Sequence, residues 1–310
     1  MPAAMQNYAN LWNQWKVKYR MKYANWNIDQ TRLSYFRTNV DGIARSKGIR
    51  ACPVSIYPHL VSCFMDRSVY EQGKLRVRLF VPKLSPTDRV DPKPSVPRNS
   101  WDWRTTDKVT PAKSQGLCGS CWAFAAAAAI ESKLLIQFNK TYEQYPVDLS
   151  EQHLIDCASG GVRTGCSGGN FEDPLFYVSN WFLAKEDTYP YASANGTAGL
   201  CDKNRMAATY TNEKVQLTGR GFRRLRSWSA AALRQAVQVA PVMVGFWVPK
   251  GSLFEFYTES LWGAANCPVP AGLPNATDAE AKLNHAVLVV GYNMAQKPPY
   301  WIVSEWSAGS

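Results

Sequence analysis

Cys121 stands at the end of the run QGLCGSC and opens the segment CWAFAAAAAI, whose alanines favour a helix that starts at the cysteine itself. Gln115 lies six residues before it, and far downstream His285 sits alone in the apolar run LNHAVLVVGY. A cysteine attacks as its thiolate, and a free thiol with a pKa of ~8.5 is mostly protonated at neutral pH. A helix N-terminus and a neighbouring imidazolium both stabilise the thiolate. Cys121 has the first by its position, and His285 is the candidate for the second. The Gln115 side chain and the Cys121 backbone N–H are then candidate donors to a developing oxyanion. The chemistry these residue types describe is acyl transfer through a thiol nucleophile.

Competing readings are weaker. Cys118-x-x-Cys121 has the spacing of a redox or zinc pair, but no βαβ context surrounds it and no second such pair exists, so no metal or cofactor is expected. His59 and His153 read as surface or packing residues. A single histidine in an apolar strand is ordinarily a satisfied core group, and only the cysteine motif raises His285 above that.

The elements that must position these residues follow from periodicity. Tyr8, Trp12, Trp15 and Tyr19, then Arg32, Phe36, Asn39 and Ile43, recur at three- and four-residue steps and predict helices within 8–47. KLRVRLFV (74–81) reads as a strand, and five prolines between Pro82 and Pro97 as an extended linker. Beyond it, 121–137 predicts a helix apolar all round and therefore buried. LSEQHLIDC (149–157) predicts a second helix capped by Ser150, and 229–239 a third. PVMVGFWV, AVLVVGY and YWIV predict strands. Helices early and strands late make an α+β domain.

The chain of 310 residues carries a net charge of +11, and nearly all of it lies in the first third. Residues 1–96 hold 16 Lys and Arg against 6 Asp and Glu, whereas 97–310 hold 19 against 18. Those basic residues are scattered among aromatics rather than blocked, which argues against nucleic acid as a partner. No run of about 18 apolar residues occurs, so no membrane span is expected, and the first residues lack the apolar core of a signal peptide. Eight cysteines, and N-x-T sequons at Asn139, Asn195 and Asn275, fit an oxidising, secretory route.

NSWDWRTTDKVTPAKSQGLCGSCWAF closely resembles the mature N-terminus of papain-like cysteine proteases, and LSEQHLIDC, GCSGGN and LNHAVLVVGY match further motifs in the family's order. AKLNHAVLVVGYNMAQKPPYWIV is similar to the cathepsin L-like enzymes of kinetoplastid parasites, the cruzipain type. The N-terminal region resembles the family's inhibitory propeptide through Arg32, Phe36, Asn39 and Ile43, with Ile28 and Lys47 departing from its Glu and Asn. Phe64 and Asp66 match part of a second propeptide motif. The resemblance implies a propeptide over 1–81, a linker cleaved on activation over 82–97, and a peptidase domain over 98–310. That domain has a helical half holding Cys121 and a β half holding His285.

By the same resemblance Gln115 is the oxyanion donor. Gly168 and Gly169 bind an extended peptide, and Phe171 and Ala286 line the pocket for an apolar or aromatic residue two before the cut. Disulfides Cys118–Cys166 and Cys157–Cys201 are implied, leaving Cys121 free; Cys52, Cys63 and Cys267 have no assigned role. The implied partners are protein substrates, the chain's own propeptide and cystatin-type inhibitors, for a monomer in lysosomes, endosomes or the secreted fraction. The pattern breaks after PPYWIV, where the family's KNSWG is replaced by SEWSAGS. Anchored on PPYWIV, Glu305 takes the place of the Asn that orients the histidine; anchored on Trp306, Ser304 does. The expectation is a β half truncated at its C-terminal end, and an alternative function as a peptide-binding or inhibitory pseudoenzyme.

Overall fold

The structure, a computed structural model, describes residues 3–18, 21–46, 89–90, 98–158, 165–169, 172–202, 204–205, 215–217, 222–225, 229–248, 254 and 283–306. The expected strand at 74–81, most of the linker, and Cys52, Cys63, Phe64, Asp66, Phe171, Cys267 and Asn275 lie outside the described residues. The chain divides into two units, one of Met1–Gly73 with Pro249–Pro268 and Ala308–Ser310, the other of Lys74–Val248 with Val269–Ser307.

In the first unit α1 (Ala3–Lys18) and α2 (Trp26–Ser46) bury Leu11, Trp12 and Trp15 with Leu33, Phe36 and Val40. Trp12 stacks on Trp15 with ring centroids 4.9 Å apart, and Phe36 meets Trp12 edge-on at 5.2 Å. Asp29, in the first turn of α2, suits the partial positive charge of a helix start. It also accepts from Lys16 Nζ at 2.7 Å and from Trp12 Nε1 at 3.3 Å. The first helix begins at Ala3, ahead of the aromatic repeat that predicted it.

The second unit contains β1 (Arg89–Val90), β2 (Ser100–Asp102), α3 (Cys121–Gln137), α4 (Glu151–Cys157), α5 (Asp173–Asn180), β3 (Arg224–Leu225), α6 (Ala230–Val237), β4 (Val242–Phe246), β5 (His285–Asn293) and β6 (Tyr300–Ser304). The nine-residue β5 is the centre of its sheet. It pairs antiparallel with β4 through His285↔Phe246 to Val289↔Val242, with β2 through Asp102↔Gly291, and with β6 on its other edge. β1 and β3 form a separate parallel pair.

A strand buried on both faces carries apolar residues without alternation, and β5 does so. Its Ala286, Leu288 and Val290 join the core of α3, while Val289 and Tyr292 pack with Trp103 and Val237 on the other side. Gly291 is where β2 crosses close: a side chain there would begin 2.5 Å from the Trp101 carbonyl oxygen. The participation of β2 corrects the simple order of helices then strands, because a three-residue strand is too short to show a period.

Helix α3 buries Cys121 through Ala127, Ile130 and Leu135, consistent with its lack of a polar stripe. Ser150 caps α4, its Oγ accepting from His153 N at 2.9 Å, and Ser229 caps α6 in the same way at 3.2 Å. Cys118 is bonded to Cys166 and Cys157 to Cys201, and Cys121 is a free thiol. Closing loops of 48 and 44 residues stabilises the fold by about 4 kcal/mol each in the chain-entropy description. Among the described residues no helix is long and apolar enough to cross a membrane, and no cluster of His, Cys, Asp and Glu is arranged to hold a metal ion.

Candidate active site

Cys121 is the first residue of α3, where backbone N–H groups lack acceptors one turn earlier and positive partial charge collects. Ser120 before it makes no side-chain cap; its Oγ lies 3.2 Å from Tyr191 Oη. His285 begins β5, opposite the end of β4, with the Phe246 ring edge-on at 5.4 Å. Cys121 and His285 are both buried.

The register of the sheet brings a third group in. Ser304, the last residue of β6, lies opposite Leu288, so the chain beyond it runs back along the start of β5. Glu305 Oε1 consequently sits 2.5 Å from His285 Nε2. Ser304, the alternative at this place, is held in the strand pairing. The imidazole also hydrogen-bonds Cys121, and with Nε2 on the carboxylate this bond falls to Nδ1. Burial by itself lowers the histidine pKa, but the hydrogen bonds to Cys121 and Glu305 outweigh it and raise the value from 6.5 to about 10. The ring is therefore an imidazolium at neutral pH.

Trp306 holds this end in place. Its indole N–H donates to the Ala286 carbonyl at 3.0 Å, its own carbonyl accepts from Gln115 N at 3.0 Å, and its ring lies 6.3 Å from that of Phe124. One residue thus ties the histidine strand to the Gln115 loop. Gln115 is buried, with Nε2 donating to the Cys118 carbonyl at 2.9 Å and Oε1 unpartnered. Its backbone carbonyl accepts from Tyr191 Oη at 2.7 Å, the same phenol that reaches Ser120, so Gln115 and the residue before Cys121 share a support. The sequence reading missed Tyr191, and it weighed Trp306 only as an alignment anchor.

Gly169 lies flat on the Trp122 indole, where a Cβ would meet the ring at 2.4 Å, and Gly168 has φ of +114°. Ala286 is wholly buried opposite Gly245. Asn139 is exposed with φ of +50° just past α3. Asn195 is exposed in a short 3₁₀ turn, its Oδ1 accepting from Thr197 N at 2.9 Å.

A second ionic group, also missed, supports the loop from within. Lys113 Nζ lies 2.5 Å from Asp148, 2.8 Å from Glu151 and 3.2 Å from Glu131. Glu131 is fully buried and also accepts from Thr110 Oγ1 at 2.5 Å and Leu149 N at 2.8 Å. Burial opposes the charge on Lys113, but the three carboxylates hold it protonated beyond the usual lysine range. Burial raises Glu151 despite Lys113, and raises Glu186 to about 7. Glu131, directly after the apolar first ten residues of α3, was the available signal for this cluster.

A buried free thiol at a helix start, hydrogen-bonded to a histidine that a carboxylate holds from the other side, defines a thiol-dependent hydrolase with one helical and one sheet half. Residues 97–309 match the family model described as papain family cysteine protease. The chain belongs to that family and is cathepsin L-like. It is 28% identical to procathepsin L of Mus musculus over 98% of this chain and 86% of the relative. It is 30% identical to cathepsin S of Bos taurus over 94% and 81%. Among solved structures it is similar to digestive procathepsin L2 proteinase from Tenebrio molitor larval midgut, with a TM-score of 0.72 and 27% identity over 97% of this chain and 91% of that one. It is also similar to the recombinant stem bromelain precursor, with a TM-score of 0.68 and 26% identity over 97% and 90%. The chain is a cysteine protease zymogen by these relationships.

Proposed function

We propose that this chain is an endopeptidase zymogen in which Cys121 is the nucleophile, His285 the acid and base, and Gln115 with the Cys121 N–H the oxyanion donors. The observation that carries the reading is the hydrogen bond between His285 and a free cysteine at a helix start. The Cys121 thiolate attacks the peptide carbonyl, His285 protonates the leaving amine, and water then hydrolyses the thioester. Gly168 and Gly169 carry the substrate backbone, since side chains there would obstruct it. Phe171 and Ala286 favour an apolar or aromatic residue two before the cut.

Residues 1–81 act as the inhibitory propeptide, 82–97 hold the activation cleavage, and 98–310 form the peptidase. The products are monomeric, reside in lysosomes, endosomes or the secreted fraction, carry glycans at Asn139, Asn195 and Asn275, and are open to cystatin-type inhibitors. The kinship with the cruzipain type rests on the AKLNHAVLVVGYNMAQKPPYWIV segment. The pseudoenzyme reading rests on the lost Asn; a carboxylate on His285 Nε2 supplies an acceptor at that place and favours the protease.

Acid activation followed by hydrolysis of a fluorogenic dipeptide, with an apolar residue before arginine, tests the reading beside Cys121→Ala. Turnover abolished in the variant is expected. A folded wild type that accepts no such substrate would direct attention to what its groove binds instead.

A further inference from the structure

We propose that Glu305 is the positioning residue of the Cys121–His285 pair, and that its carboxylate on Nε2 favours the protonated ring over the neutral one, so that release of the acyl group limits turnover. The inference rests on the acyl-transfer reading above. An amide oxygen at this position would orient the ring without charge. A carboxylate 2.5 Å from Nε2 makes a charge-assisted bond, strengthened by the burial of the ring. Among the described residues the titratable groups that act on the imidazole are Cys121 at the start of α3 and Glu305 beyond β6, and the Phe246 ring of β4 lies edge-on to it.

The two half-reactions ask opposite things of the ring. In acylation the thiolate bonds the carbonyl carbon, the C–N bond breaks, and the imidazolium gives its proton to the departing amine. A protonated ring is the required state. In deacylation a water oxygen bonds the thioester carbon, its proton passes to a neutral imidazole, and the C–S bond breaks to return the thiolate and the carboxylic acid. By then the thiolate no longer stabilises a proton on Nδ1, but Glu305 on Nε2 still raises the proton affinity of the ring. Each unit by which the carboxylate raises the ring's proton affinity cuts the neutral fraction about tenfold at a pH below that affinity. The protonated ring survives to higher pH for the same reason.

The acid-activated full chain and its Glu305→Gln variant separate these effects. The wild type is expected to release a burst of about one fluorophore per Cys121, with kcat rising from pH 5 to 8. Inactivation by iodoacetate, an anion drawn to the imidazolium, should hold into the alkaline range. Glu305→Gln should lose the burst and move the alkaline limb of inactivation down by about 1–3 pH units. Glu305→Asp, with the charge kept and the reach shortened, should keep the limb and lose turnover by about 10–100-fold, as misplaced supporting groups do.

A limb at the same pH in wild type and Glu305→Gln, or a wild type that turns over peptide without a burst, overturns the proposal. Should Glu305→Gln not fold, as judged by thermal unfolding, ¹⁵N-histidine NMR of the wild type decides. A His285 ring still protonated above pH 8 supports the proposal, and one neutral below it overturns it. A wild type that never turns over peptide, yet shows the shifted limb, overturns acyl transfer while supporting the hold of Glu305 on the ring.

Discussion

His153, read in the sequence as an ordinary residue, should set part of the acid sensitivity of the peptidase unit. It is fully buried, stacked on Tyr189 with an interplanar angle of 10°, its Nδ1 accepting from Ala184 N at 3.1 Å and its Nε2 3.2 Å from Tyr177 Oη. Because Nδ1 is an acceptor, the proton is on Nε2 and the ring is neutral. Burial lowers its pKa from 6.5 to about 4. A depressed histidine stabilises the fold fully above the unfolded value, near 6.5, and loses that contribution as pH falls towards about 4. Two and a half units at 1.36 kcal/mol each amount to roughly 3 kcal/mol.

The perturbation is His153→Gln in a Cys121→Ala background, which prevents self-cleavage. Urea unfolding from pH 7.5 to 4 gives the difference in stability between the two proteins. At pH 7.5 the variant should be the weaker by about 1–3 kcal/mol, for lost packing and an imperfectly satisfied Ala184 N–H. By pH 4 the gap should have closed by roughly 3 kcal/mol, because the variant has no ring to charge. Glu151 and Glu186 act in the opposite sense. Their folded pKa values are raised by burial, so their contribution is present in acid and is lost as pH rises through them. They titrate in both proteins and cancel in the difference. Parallel stability curves between pH 6.5 and 4 would show that His153 is not the buried neutral base described, and the reasoning would fail.

Three further outcomes are expected. Lys113→Met leaves Glu131 and Glu151 without their cation and should cost about 3–5 kcal/mol near neutral pH. Denaturant curves at pH 5 should show a smaller loss, since Glu151, already raised by burial, is then protonated. Gly169→Ala drives a methyl into the Trp122 ring and should destabilise by about 1–3 kcal/mol. It should also raise KM more than it lowers kcat, and an unchanged KM would remove Gly169 from the substrate groove. Cys201→Ser opens the 44-residue loop and should lower unfolding stability by about 4 kcal/mol while leaving the Cys121 thiol titratable.

What the sequence disclosed, and what it withheld, divides along the range of the interactions. The start of α3 at Cys121 and the cap at Ser150 are local events, written in propensity and in an oxygen three residues from its N–H. The long apolar strand at His285 is local too, since β5 is buried on both faces and needs no alternation. Trp306 reaches Ala286 and Gln115, and Tyr191 reaches Gln115 and Ser120, across separations that no period encodes. The same limit governed Glu305. Its identity could be read at once, but two alignments left either Glu305 or Ser304 at the histidine, and the chain alone offered no way to choose. The antiparallel register decides, because Ser304 spent in pairing with Leu288 leaves the next residue to meet the start of β5. A carboxylate rather than an amide then stands on Nε2, and that one change of chemistry alters which half of the reaction the histidine is suited to.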